Sequence, residues 1–175
     1  ELETALGGNG VQINSGLSFV QNFDGNWIGS MTSISPKQMY LINTNATIDI
    51  ELSGELFEIS EVEITLNNKW NWIGYPLSNT VSVNDALSNL TPVEGDQISG
   101  KNSFATYFGE NNGWIGSLNT LEPGQGYKYY SKNIEQTNFV YSNNTRGELK
   151  ANVTTDDNHW IPNAAQYANN MTMTA

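Results

Sequence analysis

The side chains of this chain that could bind a ligand are mainly aromatic rings and amides. Trp70 and Trp72 alternate across Asn71, and a strand would place both rings on the same side. Aromatic rings stack on the C–H face of a sugar, while amides pair with its hydroxyl groups. We therefore expect Trp70, Asn71 and Trp72 to contribute to a carbohydrate-binding surface.

Two pairs of adjacent aromatic residues extend this set. Tyr129 and Tyr130 must point to opposite faces of a strand, and Tyr130 is expected to face outward. Tyr107 and Phe108 form a similar pair, so one of them should face solvent. The predicted ligand-binding residues are thus Trp70, Asn71, Trp72, Tyr107, Tyr129 and Tyr130.

Catalytic chemistry has little support in the sequence. A glycosidase needs two carboxylates at a fixed separation, one of them with a pKa raised by burial. The acids mostly fall in turns or on outward strand faces, as with Asp24, Asp49, Asp85, Glu94 and Asp96. The single histidine, His159, has no serine or cysteine partner in a recognisable motif. We predict no enzymatic activity and no catalytic residue.

Metal ligands and cofactor motifs are equally sparse. The chain has no cysteine, which excludes thiolate zinc sites, thiol catalysis and disulfides. Asp156 and Asp157 lie near His159, but no second histidine or spaced acid set completes a site. Asp-rich turns are compatible with a structural calcium ion, but the sequence contains no EF-hand-type loop that would support one. The prediction is no cofactor and no metal site.

Charge and composition limit the partners. The 175 residues carry a net charge of −11 with only 14% charged residues, so Asn, Thr, Ser, Gln and Gly must cover much of the surface. An acidic chain without a basic stripe repels phosphate backbones, which argues against nucleic acid. No apolar run reaches the roughly 20 residues that span a bilayer. The polar bias is typical of extracellular or cell-surface bacterial proteins.

The chain contains an internal repeat. The segment NWIGSMTSISPKQMY (Asn26–Tyr40) recurs as GWIGSLNTLEPGQGY (Gly113–Tyr127), with a partial third copy, NWIGYPL, at Asn71–Leu77. We predict a first, N-terminally incomplete unit at 1–66 and a second unit at 67–142. The segment 143–175 is expected to begin a following unit or to pack on the repeats.

The repeated tryptophans have an alternative role. A tryptophan that recurs in each unit is typical of a core anchor, which applies to Trp27, Trp72 and Trp114. Trp70 has no counterpart in the first unit, so it is the better candidate for a ligand platform.

Local patterns predict the fold. Alternating apolar residues indicate strands at 47–52 and 61–66, and aromatic and β-branched runs indicate strands at 126–131 and 138–142. Helical spacing at 82–90, with Ser82 or Asn84 as a cap, indicates one short helix. The predicted fold is mostly β, an antiparallel β-sandwich or barrel-like module built from two related repeats.

The segments KWNWIGYPL and LEPGQGYKYY resemble W-N-x-I-G-x-P … P-G-x-G-[YF] repeats of large secreted or cell-surface proteins of Bacteroidetes-type gut and rumen bacteria. The resemblance covers 69–141 well and 26–42 partially, and the first unit lacks the opening half of the pattern. It implies surface location, modularity and association with polysaccharide capture, adhesion or polymer degradation.

Together these features favour a non-catalytic carbohydrate-binding module of a modular extracellular bacterial protein. The expected partner is a plant-type polysaccharide of the cellulose or hemicellulose kind, besides other modules of the same polypeptide. The alternative is a structural or adhesive repeat, either a spacer or a protein-binding module, because the repeated motif itself has the residues of a hairpin.

Overall fold

The computed structural model of the chain describes residues 5–49 and 58–142. The fold is mostly β, with antiparallel sheets in a sandwich-like arrangement and one short helix, which confirms the predicted class. No sheet in this part of the chain closes into a barrel. The strands are β1 (Gly10–Asn14), β2 (Phe19–Phe23), β3 (Asn26–Gly29), β4 (Leu41–Thr44), β5 (Ile64–Leu66), β6 (Lys69–Gly74), β7 (Val81–Ser82), β8 (Gln97–Ser99), β9 (Phe104–Tyr107), β10 (Trp114–Gly116), β11 (Thr120–Leu121), β12 (Gly126–Ser131) and β13 (Thr137–Phe139).

In the part of the chain that the structure describes, the helices are short. Two 3-10 helices lie at Gly7–Asn9 and Ile59–Glu61, and the α-helix α1 spans Val83–Ala86. The Ser82 hydroxyl caps α1 by accepting a hydrogen bond from the Asp85 amide at 3.1 Å, as the sequence predicts for an N-cap serine. None of the helices at 5–49 and 58–142 has the length and apolarity needed to cross a bilayer.

The repeated sequence folds twice into the same topology. The first sheet has the order β3-β2-β1-β4, and the second has the order β10-β9-β8-β12-β6. Strands β8, β9, β10 and β12 therefore correspond to β1, β2, β3 and β4. The second sheet carries one additional strand, β6, against β12.

The repeated glycine and tyrosine have the same structural roles in both copies. A side chain at Gly29 or Gly116 would run into the backbone of the neighbouring strand, at Phe19 or Phe104 respectively, so only glycine fits there. The Tyr40 hydroxyl accepts a hydrogen bond from the Ser35 amide at 2.8 Å. Tyr127 does the same for the Glu122 amide, also at 2.8 Å.

The two units have cores of very different size. The second sheet, α1 and the two-stranded β5–β13 sheet enclose the main cluster of buried residues. Leu6, Ile13 and Val20 form a small separate cluster under the first sheet. Ile64 and Leu66 of β5 belong to the main cluster. Although 66 was the predicted end of the first unit, β5 thus packs with the second.

Glycines allow the two units to pack closely against each other. Gly74 and Gly126 are cross-strand partners on β6 and β12, and the turn at 36–39 of the first unit lies against them. The Gly74 amide donates a hydrogen bond to the Lys37 carbonyl at 3.1 Å. Gly16 lies against the ring of Trp72. A side chain at any of these glycines would push the units apart.

Some predicted features differ from the structure or lie outside it. Residues 47–49 form no strand, and the rest of the strand predicted at 47–52 lies outside the described residues. The predicted segment 143–175, with Asp156, Asp157 and His159, also lies outside them.

Candidate functional site

The candidate site is the solvent-facing side of the second sheet. One row of cross-strand neighbours crosses all five strands of this sheet. A second row lies two residues along four of these strands, which corresponds to about 7 Å. We call these nine residues the outer face: Trp70, Tyr130, Gln97, Thr106 and Ile115 in the first row, and Trp72, Lys128, Ser99 and Phe104 in the second.

Trp70 and Tyr130 form an aromatic pair at one end of the first row. Their ring centroids are 5.0 Å apart with an interplanar angle of 63°, an edge-to-face arrangement that aromatic rings favour. The side chain of Trp70 remains 53% exposed. The pair thus offers an aromatic surface to solvent, and Tyr130 adds a phenolic hydroxyl.

Polar and apolar side chains continue the row beyond this pair. Gln97 is exposed and Thr106 is half-buried, so both can offer hydrogen-bonding groups beside the rings. Ile115 ends the row with an exposed aliphatic side chain. Phe104 of the second row is also exposed. Aromatic, amide and hydroxyl groups therefore lie together on one face of the sheet.

Trp72 has a mixed environment. Its ring is half-buried because Gly16 of the first unit lies against it. The Lys128 ammonium sits 4.8 Å from the ring centroid, within the range of a cation–π interaction. Trp72 therefore contributes both to the joint between the units and to the outer face.

Two predicted ligand-binding residues are buried, and for them the prediction is wrong. Tyr129 is 0% exposed because it lies on the opposite side of β12 from Tyr130. The Asn71 amide is turned inward, where its oxygen accepts from the Asn67 amide at 2.8 Å and its nitrogen donates to the Asn67 carbonyl at 2.8 Å. Asn71 thus fixes the turn before β6 and has no free group for a ligand.

Tyr129 is held by a buried carboxylate. Its hydroxyl donates to Asp96 at 2.7 Å, and Asp96 also accepts from the backbone amides of Lys132 at 2.7 Å and Val93 at 3.1 Å. Asp96 is only 2% exposed. Burial raises the pKa of Tyr129 far above its ordinary value, and the neighbouring Asp96 raises it further.

Asp96 therefore has a structural role. Sequence reasoning placed it among the exposed acids, because a single polar residue before a strand gives no sign of burial. A glycosidase needs a second carboxylate positioned across the substrate. The hydrogen bonds of Asp96 instead go to a tyrosine and two backbone amides, so its oxygens serve to fix the chain around β8 and β12.

Tyr107 and Phe108 lie at a separate depression, lined also by Glu94, Gly95 and Lys132. The ring of Tyr107 packs on Trp114 with centroids 5.4 Å apart, and Phe108 is the more exposed member of the pair. The Lys132 ammonium donates to the Glu94 carbonyl at 3.2 Å. Tyr107 thus lies apart from Trp70 and Tyr130.

The structure unites three of the predicted residues and adds others. Trp70, Trp72 and Tyr130 lie together on the outer face, whereas Asn71, Tyr129 and Tyr107 do not. Sequence reasoning missed Gln97, Ser99, Phe104, Thr106, Ile115 and Lys128. Only Lys128 had a local signal, since it alternates with Tyr127 and Tyr129 and must therefore face outward with Tyr130.

At 5–49 and 58–142, no three His, Cys, Asp or Glu side chains lie close enough together to hold a metal ion. The chain matches no protein-family model, no curated protein and no solved structure.

Proposed function

We propose that this chain is a non-catalytic module that binds polysaccharide on the outer face. The observation that carries the proposal is the pairing of Trp70 with Tyr130 at 5.0 Å on an open sheet surface, in line with Gln97 and Thr106. Aromatic rings would stack on the apolar face of a sugar, and the neighbouring amide and hydroxyl groups would pair with its hydroxyls.

The shape of the site favours a polymer over a small molecule. Small-molecule sites are usually concave and bury most of the ligand, whereas the outer face is a broad sheet surface. Its first row crosses five strands, which at about 4.8 Å between neighbours gives a span of roughly 19 Å. A chain of several sugar units could lie along such a row.

The proposed setting is an extracellular or cell-surface bacterial protein that attaches cells or enzymes to plant-type polysaccharide. Two features support it: the polar, weakly charged composition and the resemblance of KWNWIGYPL and LEPGQGYKYY to repeats of secreted proteins. Within such a protein, the module would act beside others on the same polypeptide.

Affinity electrophoresis tests the proposal. The folded protein is run in native gels that contain hydroxyethyl cellulose, xylan, xyloglucan or mannan, and its mobility is compared with that in a gel without polymer. We expect retardation in at least one gel. If the protein migrates at its free mobility in every gel, and also fails to bind acidic polymers, the proposal is wrong.

A second function, that of a structural spacer or protein-binding repeat, has its own supporting observation. The two units share one topology and interlock through Gly74, Gly126 and the turn at 36–39. Such a joint would hold consecutive units at a fixed angle, as a spacer requires. A spacer needs no exposed aromatic pair, so loss of polysaccharide binding on substitution of Trp70 would distinguish the two functions.

A further inference from the structure

The outer face differs in charge from the rest of the chain. The sequence contains 18 acidic and 7 basic residues, yet the nine residues of the outer face include one lysine and no carboxylate. Because 18 of the 25 Asp, Glu, Lys and Arg residues are acidic, a charged side chain of this protein is more often an acid than a base. An acid-free surface with a cation at its centre is complementary to a ligand that carries negative charge.

Lys128 occupies the middle of this surface. It follows Trp72 and precedes Ser99 in the second row, two residues from Tyr130 on β12. Its ammonium lies 4.8 Å from the Trp72 ring, so the aromatic ring limits the positions that the side chain adopts. Lys128 makes no ion pair with a residue at 5–49 or 58–142, and its charge is therefore free to pair with a ligand.

Other lysines of the described residues are placed differently. Lys132 donates to the Glu94 carbonyl beside the separate depression, and Lys101 lies in the turn between β8 and β9. Lys37 lies in the turn that contacts Gly74. Lys69 precedes Trp70 on β6 and pairs with Ser131, outside the two rows of the outer face. Lys128 is thus the lysine of the outer face that a sugar stacked on Trp70 and Tyr130 would meet.

We propose that the outer face selects polysaccharides whose sugars bear an anionic group, a carboxylate or a sulfate, and that Lys128 is the residue that sets this preference. This inference rests on the proposed polysaccharide function and narrows its ligand. Trp70 and Tyr130 stack on a sugar ring, while the Lys128 ammonium donates charge-assisted hydrogen bonds to the anionic group.

The net charge of the chain works against this interaction at long range. Screening limits that repulsion to about 8 Å at physiological ionic strength, so the local charge of Lys128 decides the outcome in buffered salt. The preference should consequently be measurable at 0.15 M salt, where the long-range repulsion by the acidic chain is largely screened.

The test compares the affinities of three polymers at 0.15 M salt: polygalacturonate, which carries carboxylates, dextran sulfate, and neutral galactan. We expect the wild-type protein to bind one of the charged polymers about tenfold more tightly than galactan, the effect of one charge-assisted hydrogen bond. Which charged polymer binds more tightly identifies the anionic group. In Lys128→Met, which keeps an unbranched side chain over Trp72, the difference should vanish.

Two controls accompany this variant. Lys128→Arg retains the charge and should retain the preference, whereas Lys101→Met removes a lysine from a turn and should leave the preference unchanged. Equal affinity for galactan and both charged polymers, or a preference that persists in Lys128→Met, overturns the inference and leaves polysaccharide binding intact. An equal loss in Lys101→Met also overturns it, because general charge would then explain the binding. If none of these polymers binds and the neutral-polymer gels show no retardation, the proposed function itself fails.

Discussion

Trp70 and Tyr130 are direct cross-strand partners on β6 and β12, and their rings meet edge to face at 5.0 Å on the solvent side of the sheet. A pair of this kind stabilises a sheet by about 0.5 to 1.5 kcal/mol beyond its burial. Yet Trp70 remains half exposed in a protein that has a large apolar core available. The pair thus keeps aromatic surface exposed to solvent, as the proposed polysaccharide site requires.

Replacement of the repeated tryptophans should affect stability unequally. Trp114 is buried in the main core, whereas Trp27 is half-buried beside the small cluster of the first unit. Trp114→Ala should lower the free energy of unfolding by about 3 to 5 kcal/mol, and Trp27→Ala by about 2 kcal/mol because less apolar area is lost. Urea unfolding followed by circular dichroism measures both, and equal losses would contradict the difference in packing.

The Asp96–Tyr129 pair offers a test of energetic coupling. Asp96→Val removes the acceptor of the buried Tyr129 hydroxyl and of two backbone amides, and we expect a loss of several kcal/mol at about 1 to 3 kcal/mol for each unsatisfied group. Adding Tyr129→Phe removes one orphaned hydroxyl and should restore about 1 kcal/mol. Urea unfolding of the four proteins of this cycle gives the coupling energy, and strictly additive losses would show that the hydrogen bond is unimportant.

The joint between the units depends on the absence of a side chain at Gly74. In Gly74→Ala the new methyl group would meet the Pro36 carbonyl, and such overpacking typically costs about 1 to 3 kcal/mol. We expect lower stability and faster protease cleavage in the turn at 36–39. Gly8→Ala is the control, since no atom lies within 4 Å of its added carbon, and equal behaviour of the two variants would contradict the proposed joint.

Buried tyrosines should make the fold sensitive to alkaline pH. Burial raises the pKa of Tyr75, Tyr129 and Tyr141 above the ordinary value of 10.0. Above pH 10 the unfolded chain loses these protons while the folded protein keeps them. The contribution of these tyrosines to stability is therefore fully present below pH 10 and is lost as pH rises further. Urea midpoints between pH 8 and 11.5 should fall only in the upper part of this range. Tyr129→Phe should reduce the slope, and a midpoint independent of pH would contradict the assignment.

Local sequence patterns were sufficient for much of the fold. The aromatic run in GYKYYS predicted β12 at Gly126–Ser131. Helical spacing at 82–90, with Ser82 or Asn84 as the cap, predicted a helix that the structure shows as the shorter α1 with Ser82 as its cap. The repeat also predicted two related units, and four strands of the second sheet have the same order as the four strands of the first. These features depend on neighbours within a few residues, which is why sequence alone could locate them.

The composition of the outer face depends on distant neighbours instead. Gln97, Thr106 and Ile115 join the row through the register of three further strands, and register follows from tertiary packing. The burial of Asn71 and Tyr129 was missed for the same reason. The alternation of side chains along a strand separates its two faces. The position of the core decides which face is buried, and an aromatic residue is found on either face.

The most direct test of polysaccharide binding at Trp70 is the dissociation constant of Trp70→Ala for a polymer that binds the wild-type protein. Phe23→Ala is the matched control, because Phe23 is 51% exposed on the first sheet, close to the 53% of Trp70. By isothermal titration calorimetry, we expect Trp70→Ala to lose about 1 to 3 kcal/mol of binding free energy, a range taken from the stacking of bases on aromatic residues. Phe23→Ala should bind as the wild type does. If Trp70→Ala binds unchanged, or if Phe23→Ala loses as much, the outer face is not the binding site.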